Sequence, residues 1–214
     1  MDQVVYLLDV DNTLLDNDAV IADLKQHLTG AFGADCERRY WNIFEQLRSE
    51  LGYADYLGAL QRYRAENPAD PHVLAMSLHL LHYPFSARLY PRVLDAIAHL
   101  KRRGRVVILS DGDVVFQPRK VERSGLWAAV DAHVLIYIHK EQMLDDVARR
   151  YPAERYVMVD DKVRILAAMK SVWRDRLTTV FVRQGHYAHD AALVAQYPAA
   201  DRAVDVIGDI IDFQ

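Results

Sequence analysis

Five short runs of β-branched, apolar and aromatic residues, at 4–8, 106–109, 134–138, 156–159 and 178–182, limit this chain to a small set of architectures. Each run is nearly continuous in apolar character rather than alternating. That pattern predicts strands buried on both faces, as parallel strands covered by helices are. Segments of helical period lie at 119–124, 141–150 and 162–172, with another at 90–103 ahead of the second run. The β-α-β-α alternation predicts an α/β fold built on a doubly wound, Rossmann-like parallel sheet of at least five strands.

The rhythm breaks once. About a hundred residues separate the first run from the second, whereas later runs follow at about twenty to thirty. A chain of 214 residues is also long for one domain of roughly 150. The insert, residues 17–87, contains no strand-like run and four helical stretches near 19–30, 36–51, 53–65 and 71–81. Gly33, Gly52 and the Asn67-Pro68-Ala69-Asp70-Pro71 turn separate them. The expected organisation is therefore an α/β core from residues 1–16 and 88–214, with an all-α helical-bundle cap at 17–87. Tyr83-Pro84-Phe85-Ser86-Ala87 has the turn chemistry of a hinge or linker.

Composition removes several function classes. Lysine and arginine number 26 against 30 acids, a net charge of −4, so no global cationic field is present to hold a nucleic-acid backbone. The single cysteine, Cys36, cannot form an intramolecular bridge, and no Cys/His cluster has zinc-finger spacing. A reducing, cytoplasmic compartment is the expectation. Asp2 stands where a secretory leader would carry a cation, and the apolar run after it is stopped by Asp9 and Asp11, so no signal peptide is expected. Nowhere do 18 apolar residues run together, so no membrane association is expected.

In doubly wound sheets the ligand crevice lies beyond the carboxyl ends of the strands. Those ends are polar here: Asp9-Val10-Asp11-Asn12-Thr13-Leu14, Ser110-Asp111-Gly112-Asp113, His139-Lys140 and Asp160-Asp161. Carboxylates led into a partly desolvated crevice are costly unless a cation or donor compensates them. Asp9, Asp11, Asp160 and Asp161 offer oxygen-only ligands suited to a hard ion, Mg²⁺. Lys140 supplies balancing positive charge, and Ser110 a neutral donor for a phosphoryl or carbonyl oxygen.

These residues resemble the motifs of the haloacid dehalogenase-like hydrolase superfamily. Tyr6-Leu7-Leu8-Asp9-Val10-Asp11-Asn12-Thr13-Leu14 resembles its first motif, Val107-Ile108-Leu109-Ser110 its second, Lys140 its third and Val157-Met158-Val159-Asp160-Asp161 its fourth, all in family order. The insert occupies the place of the family's helical cap. The resemblance implies that Asp9 is a nucleophile forming an aspartyl-phosphate and that Asp11 is the acid and base. It further implies Mg²⁺ held by the Asp9 carboxylate, the Asp11 backbone carbonyl and Asp160, with Asp161 in the metal's outer shell. Ser110 is then expected to bind a phosphoryl oxygen, and Lys140 to bridge nucleophile and phosphate. The family's dehalogenases lack an acid at the position of Asp11, because halide leaves without a proton. Asp11 therefore points to phosphoryl transfer.

The expected activity is a Mg²⁺-dependent phosphatase acting on a small phosphorylated metabolite. A phosphomutase using the same nucleophile is the alternative, followed by a non-catalytic binding protein on the same scaffold. Family members often carry Asn where this chain has Asp111, Gly where it has Arg92, and Pro where it has Glu141. Asp111 either adds negative charge beside the phosphate or faces away. The insert's Tyr40, Trp41, Phe44, Tyr53, Tyr56 and Tyr63 recur at helical spacing, as a bundle core would. His79 and His82 are expected to be ordinary histidines of the insert, and Arg183-Gln184-Gly185-His186-Tyr187 an ordinary loop on the sheet's functional edge.

Overall fold

Leu7 and Leu8, adjacent on the first strand, pack into two different apolar clusters on opposite sides of the sheet. That division is why the strand sequences are apolar without alternation. In the computed structural model, which describes residues 2–212, the strands are β1 (Asp2–Leu8), β2 (Arg105–Asp111), β3 (Val134–Tyr137), β4 (Ala153–Asp160), β5 (Leu177–Val182) and β6 (Arg202–Val204). All pairings are parallel, in the order β3-β2-β1-β4-β5-β6. The expected doubly wound sheet is present, with a sixth strand that the sequence did not suggest. β6 has three residues, of which only Val204 is buried, so it carries no apolar run to detect.

Four helices lie between β1 and β2 ahead of the sheet's own: α1 (Asn17–Phe32), α2 (Ala34–Leu51), α3 (Tyr56–Glu66) and α4 (Val73–His82). The third was expected from residue 53 and begins at Tyr56. Asp55 is the reason, since its carboxylate accepts the Gly58 N–H at 2.7 Å as an N-cap. Asp16 caps α1 in the same way, accepting from Ala19 at 2.9 Å. Gly52 closes α2 at φ +79°, a left-handed C-cap. Of the aromatic residues singled out above, Tyr40, Trp41, Phe44, Tyr56 and Tyr63 are buried. His79 stacks on His27 with ring centroids 3.5 Å apart.

The core continues with α5 (Val93–Lys101), α6 (Phe116–Arg123), α7 (Leu126–Ala129), α8 (Leu144–Arg150), α9 (Val163–Trp173), α10 (Gly185–His189) and α11 (Ala191–Val194). One cluster places α8 and α9, through Leu144, Val147, Ile165, Leu166 and Met169, against Leu7, Val107, Leu109 and Met158. The other joins α5 and α6 to Leu8, Ile108 and Val159, and runs without a break through Leu14, Leu15 and Phe85 into the insert. No described helix is long and apolar enough to cross a membrane.

The chain runs from β1 outward through β2 and β3, then returns to the other side of β1 to start β4. The sheet's switch point is therefore between β1 and β4, where a crevice opens beyond the strand ends. Asp9 N–H donates to the Val159 carbonyl at 3.0 Å, carrying the β1–β4 ladder to the first residue past the strand.

Candidate active site

At that switch point Asp9, Asp160 and Asp161 bring carboxylate oxygens within 4.8 Å of one another, all three residues buried. Asp9 Oδ1 accepts from Lys140 Nζ at 2.5 Å and Oδ2 from the Thr13 hydroxyl at 3.2 Å. Lys140 Nζ also stands 2.7 Å from Asp160 Oδ2, an ion pair without hydrogen-bond alignment. Asp160 Oδ1 accepts the Lys162 N–H at 2.8 Å. The Asp161 backbone N–H donates to Thr13 Oγ1 at 3.1 Å, so one hydroxyl links both strand ends.

Burial dominates the electrostatics. It pushes the Asp160 carboxyl up to about 6, with Lys140 opposing and Asp9 adding to the rise. It holds Asp161 well above the usual carboxylate range. Burial alone would lower the ammonium of Lys140, yet Asp160, Asp9 and Asp111 raise it further. Asp161, Asp9 and Asp160 do the same for Lys162, against its own burial.

Both Asp161 carboxylate oxygens are buried with no hydrogen-bond partner. Unsatisfied buried carboxylate oxygens are costly, and a hard cation is the chemistry that satisfies them. The donor set therefore fits Mg²⁺, with Asp9, Asp160 and Asp161 as the residues able to hold it.

The Asp11 side chain lies outside this cluster. Lys120, on α6, donates to its Oδ1 at 2.7 Å and its Oδ2 at 2.9 Å, and to Asn17 Oδ1 at 3.0 Å. Asp11 lines a cavity of about 380 Å³ beneath the insert, together with Phe44, Tyr53, Tyr56, His186 and Tyr187. Phe44 and Tyr56 thus line the cavity as well as building the bundle, and Tyr53 lines it from the turn between α2 and α3. Ser110 is buried at the end of β2, its Oγ accepting from Gln117 Nε2 at 3.0 Å. Asp111 is turned to Lys140, whose backbone N–H it accepts at 2.7 Å, which anchors the segment carrying that lysine. Its carboxyl is raised by burial.

Segment 183–187 does more than connect. His186 donates its backbone N–H to Asp18 on α1 at 2.8 Å, tying the core to the insert. Gly185 sits at φ +72°, where a Cβ would fall 2.4 Å from the Asn12 Cβ. Asn12 itself holds φ +60° beside Asp11. Gly185→Ala is expected to cost about 1–3 kcal/mol from left-handed backbone strain plus displacement of Asn12. Urea unfolding checks this, and an unchanged midpoint would remove the argument.

Lys120 and Lys162 were not among the expected site residues. Lys162 follows Asp161 directly, and its neighbourhood offered that hint. Lys120 lies in the charged run Arg119-Lys120-Val121-Glu122-Arg123, which reads as a solvated helix face.

The parallel sheet thus carries three buried acids at its switch point, with a buried lysine paired to two of them. The family model described as haloacid dehalogenase-like hydrolase matches residues 4–172. A protein from Burkholderia xenovorans LB400 described as a haloacid dehalogenase-like hydrolase is 62% identical, with 99% of each chain covered and a TM-score of 0.94. The L-2-haloacid dehalogenase of Xanthobacter autotrophicus shares the fold at 18% identity and TM-score 0.62, over 97% of this chain and 96% of that one. The HAD-hydrolase YfnB of Bacillus subtilis, solved with magnesium bound, does so at 15% identity and TM-score 0.62, over 98% and 97%. No curated protein matches the chain. The chain belongs to the haloacid dehalogenase-like hydrolases.

Proposed function

We propose that this hydrolase is a Mg²⁺-dependent phosphomonoesterase acting on a small organic phosphate through an aspartyl-phosphate. The observation that carries this reading is a second carboxylate, Asp11, lining the cavity two residues after the buried Asp9–Lys140 pair. A haloacid needs a nucleophile and no proton at its leaving halide. A phosphate ester needs both, and the site offers both.

In the first step an Asp9 carboxylate oxygen attacks phosphorus and the bond to the leaving oxygen breaks. The electron pair stays on that oxygen, which takes a proton from Asp11. In the second, water attacks phosphorus and gives its proton to Asp11. The acyl-phosphate bond then breaks, returning the Asp9 carboxylate and free phosphate. Ser110 donates to a phosphoryl oxygen, and Lys140 holds the Asp9 carboxylate in place. When bound, Mg²⁺ supplies the positive charge that lets two anions approach. The roles of Asp9, Asp11, Ser110, Lys140, Asp160 and Asp161 are part of this proposal.

The test is phosphate release from p-nitrophenyl phosphate, expected with Mg²⁺ and absent with a chelator, alongside L-2-chloropropionate, from which no chloride release is expected. Chloride release without phosphate release would overturn the reading. Transfer to an added sugar phosphate without free phosphate would move it to a mutase.

Metal binding also has an expected pH signature. Asp160 and Asp161 hold protons more tightly folded than unfolded, so ionising them weakens the metal-free fold as pH rises, for Asp160 between about 4 and about 6. A divalent cation takes only the ionised form. Mg²⁺ at a hundredfold its Kd is expected to add about 2.7 kcal/mol above that range and progressively less below it. Thermal melts with Mg²⁺ or chelator across the range measure this, and a pH-independent increment would contradict it.

A further inference from the structure

Lys120 is fully buried, whereas the Asp11 side chain it grips is 26% exposed. Its ammonium lies 5.9 Å from the ring of Tyr56, on α3, and 5.8 Å from that of Phe116, on α6. An ammonium withdrawn from water among rings is costly unless its partners are well aligned. Its partners here are the two oxygens of Asp11 and the side-chain oxygen of Asn17, the first residue of α1.

We propose that Lys120 is the positioning residue of Asp11. Contacts to both carboxylate oxygens fix the rotation of the group and leave its remaining lone pairs facing the cavity. The third contact, to Asn17, ties that aim to the point where the helical insert begins. Aromatic neighbours from both insert and core exclude water that would otherwise compete for the ammonium. Lys120 itself touches no reacting atom, and its effect passes through Asp11. This inference rests on the phosphatase reading, in which Asp11 protonates the leaving oxygen.

A misaimed acid hurts most where the leaving group needs its proton most. Phenolate needs that help far more than p-nitrophenolate does. The experiment therefore compares phenyl phosphate with p-nitrophenyl phosphate, both with Mg²⁺, in wild type, Lys120→Met, Lys120→Arg and the Asp11→Asn/Lys120→Met pair. Lys120→Met is expected to lose about 100-fold in kcat/KM, which reports phosphoryl transfer to Asp9 and not the hydrolysis step both esters share, on phenyl phosphate, and no more than about threefold on p-nitrophenyl phosphate. Lys120→Arg is expected to show a smaller loss, again confined to phenyl phosphate. In the Asp11→Asn background, adding Lys120→Met should change either rate by less than about twofold.

Equal losses in kcat/KM on both esters, or a further loss on top of Asp11→Asn, would overturn the positioning role and leave the phosphatase reading intact. A wild type that releases phosphate from neither ester refutes the phosphatase reading and the positioning role with it. If Lys120→Met alone fails to fold, the arginine variant decides. Selective loss of kcat/KM on phenyl phosphate supports the proposal, and equal losses on the two esters overturn it.

Discussion

Asp9→Asn is expected to lower kcat for phosphate release from p-nitrophenyl phosphate by at least about 10⁴-fold while leaving the fold in place. An amide nitrogen or oxygen is too weak a nucleophile to open a phosphate ester, and no other carboxylate takes the place of Asp9 at the end of β1. The Asn side chain keeps an oxygen for the Lys140 ammonium and stays within reach of the Thr13 hydroxyl, the two contacts that Asp9 makes. Loss of rate without loss of stability therefore separates chemistry from structure. Acid-quenched single turnovers should trap phosphate covalently on the wild type and none on the variant. More than about 1% residual activity in Asp9→Asn would remove Asp9 as nucleophile.

Lys140→Met should be the most damaging single change to stability. Lys140 is 2% exposed and neutralises Asp9 and Asp160 at once, with Asp111 holding its backbone. Removing one partner of a buried ion pair costs about 3–5 kcal/mol, because the remaining charge stays desolvated. The loss should shrink in acid, as protonation of Asp160 removes one of the stranded charges. It should also shrink with Mg²⁺, which can take over neutralisation of the acids. Urea midpoints at pH 5 and pH 8, each with and without Mg²⁺, measure both effects. A loss that is the same at both pH values would mean that the lysine contributes packing rather than charge.

The strands were readable because burial on both faces leaves a continuous apolar signal, as in Val106-Val107-Ile108-Leu109. β6 was not, since an edge strand of three residues with Arg202 and Ala203 exposed has nothing to distinguish it from a loop. The convergence of Asp9 with Asp160 and Asp161 was legible from their places at strand ends, because parallel strands put those ends side by side. The partner of Asp11 was not legible. Lys120 is 109 positions away in sequence, and a lysine on a helix gives no sign of which way it faces until tertiary packing buries it. The turn from Asp111 to the Lys140 backbone was invisible for the same reason: it depends on the lateral pairing of β2 with β3, not on local pattern.

One apolar cluster passes from the sheet through Leu15 and Phe85 into Tyr40 and Phe44, and Tyr56 of α3 packs on Phe116 of α6 with ring centroids 4.7 Å apart. Insert and sheet therefore share their interior, and neither half can be dissolved while the other remains packed. Unfolding should proceed as a single cooperative event, and a fragment of residues 17–87 expressed alone should expose the face that α6 normally covers. The same shared interior ties catalysis to folding: a substitution deep among the insert's rings, far from any acid, would loosen the Lys120 pocket and register first as a change in turnover.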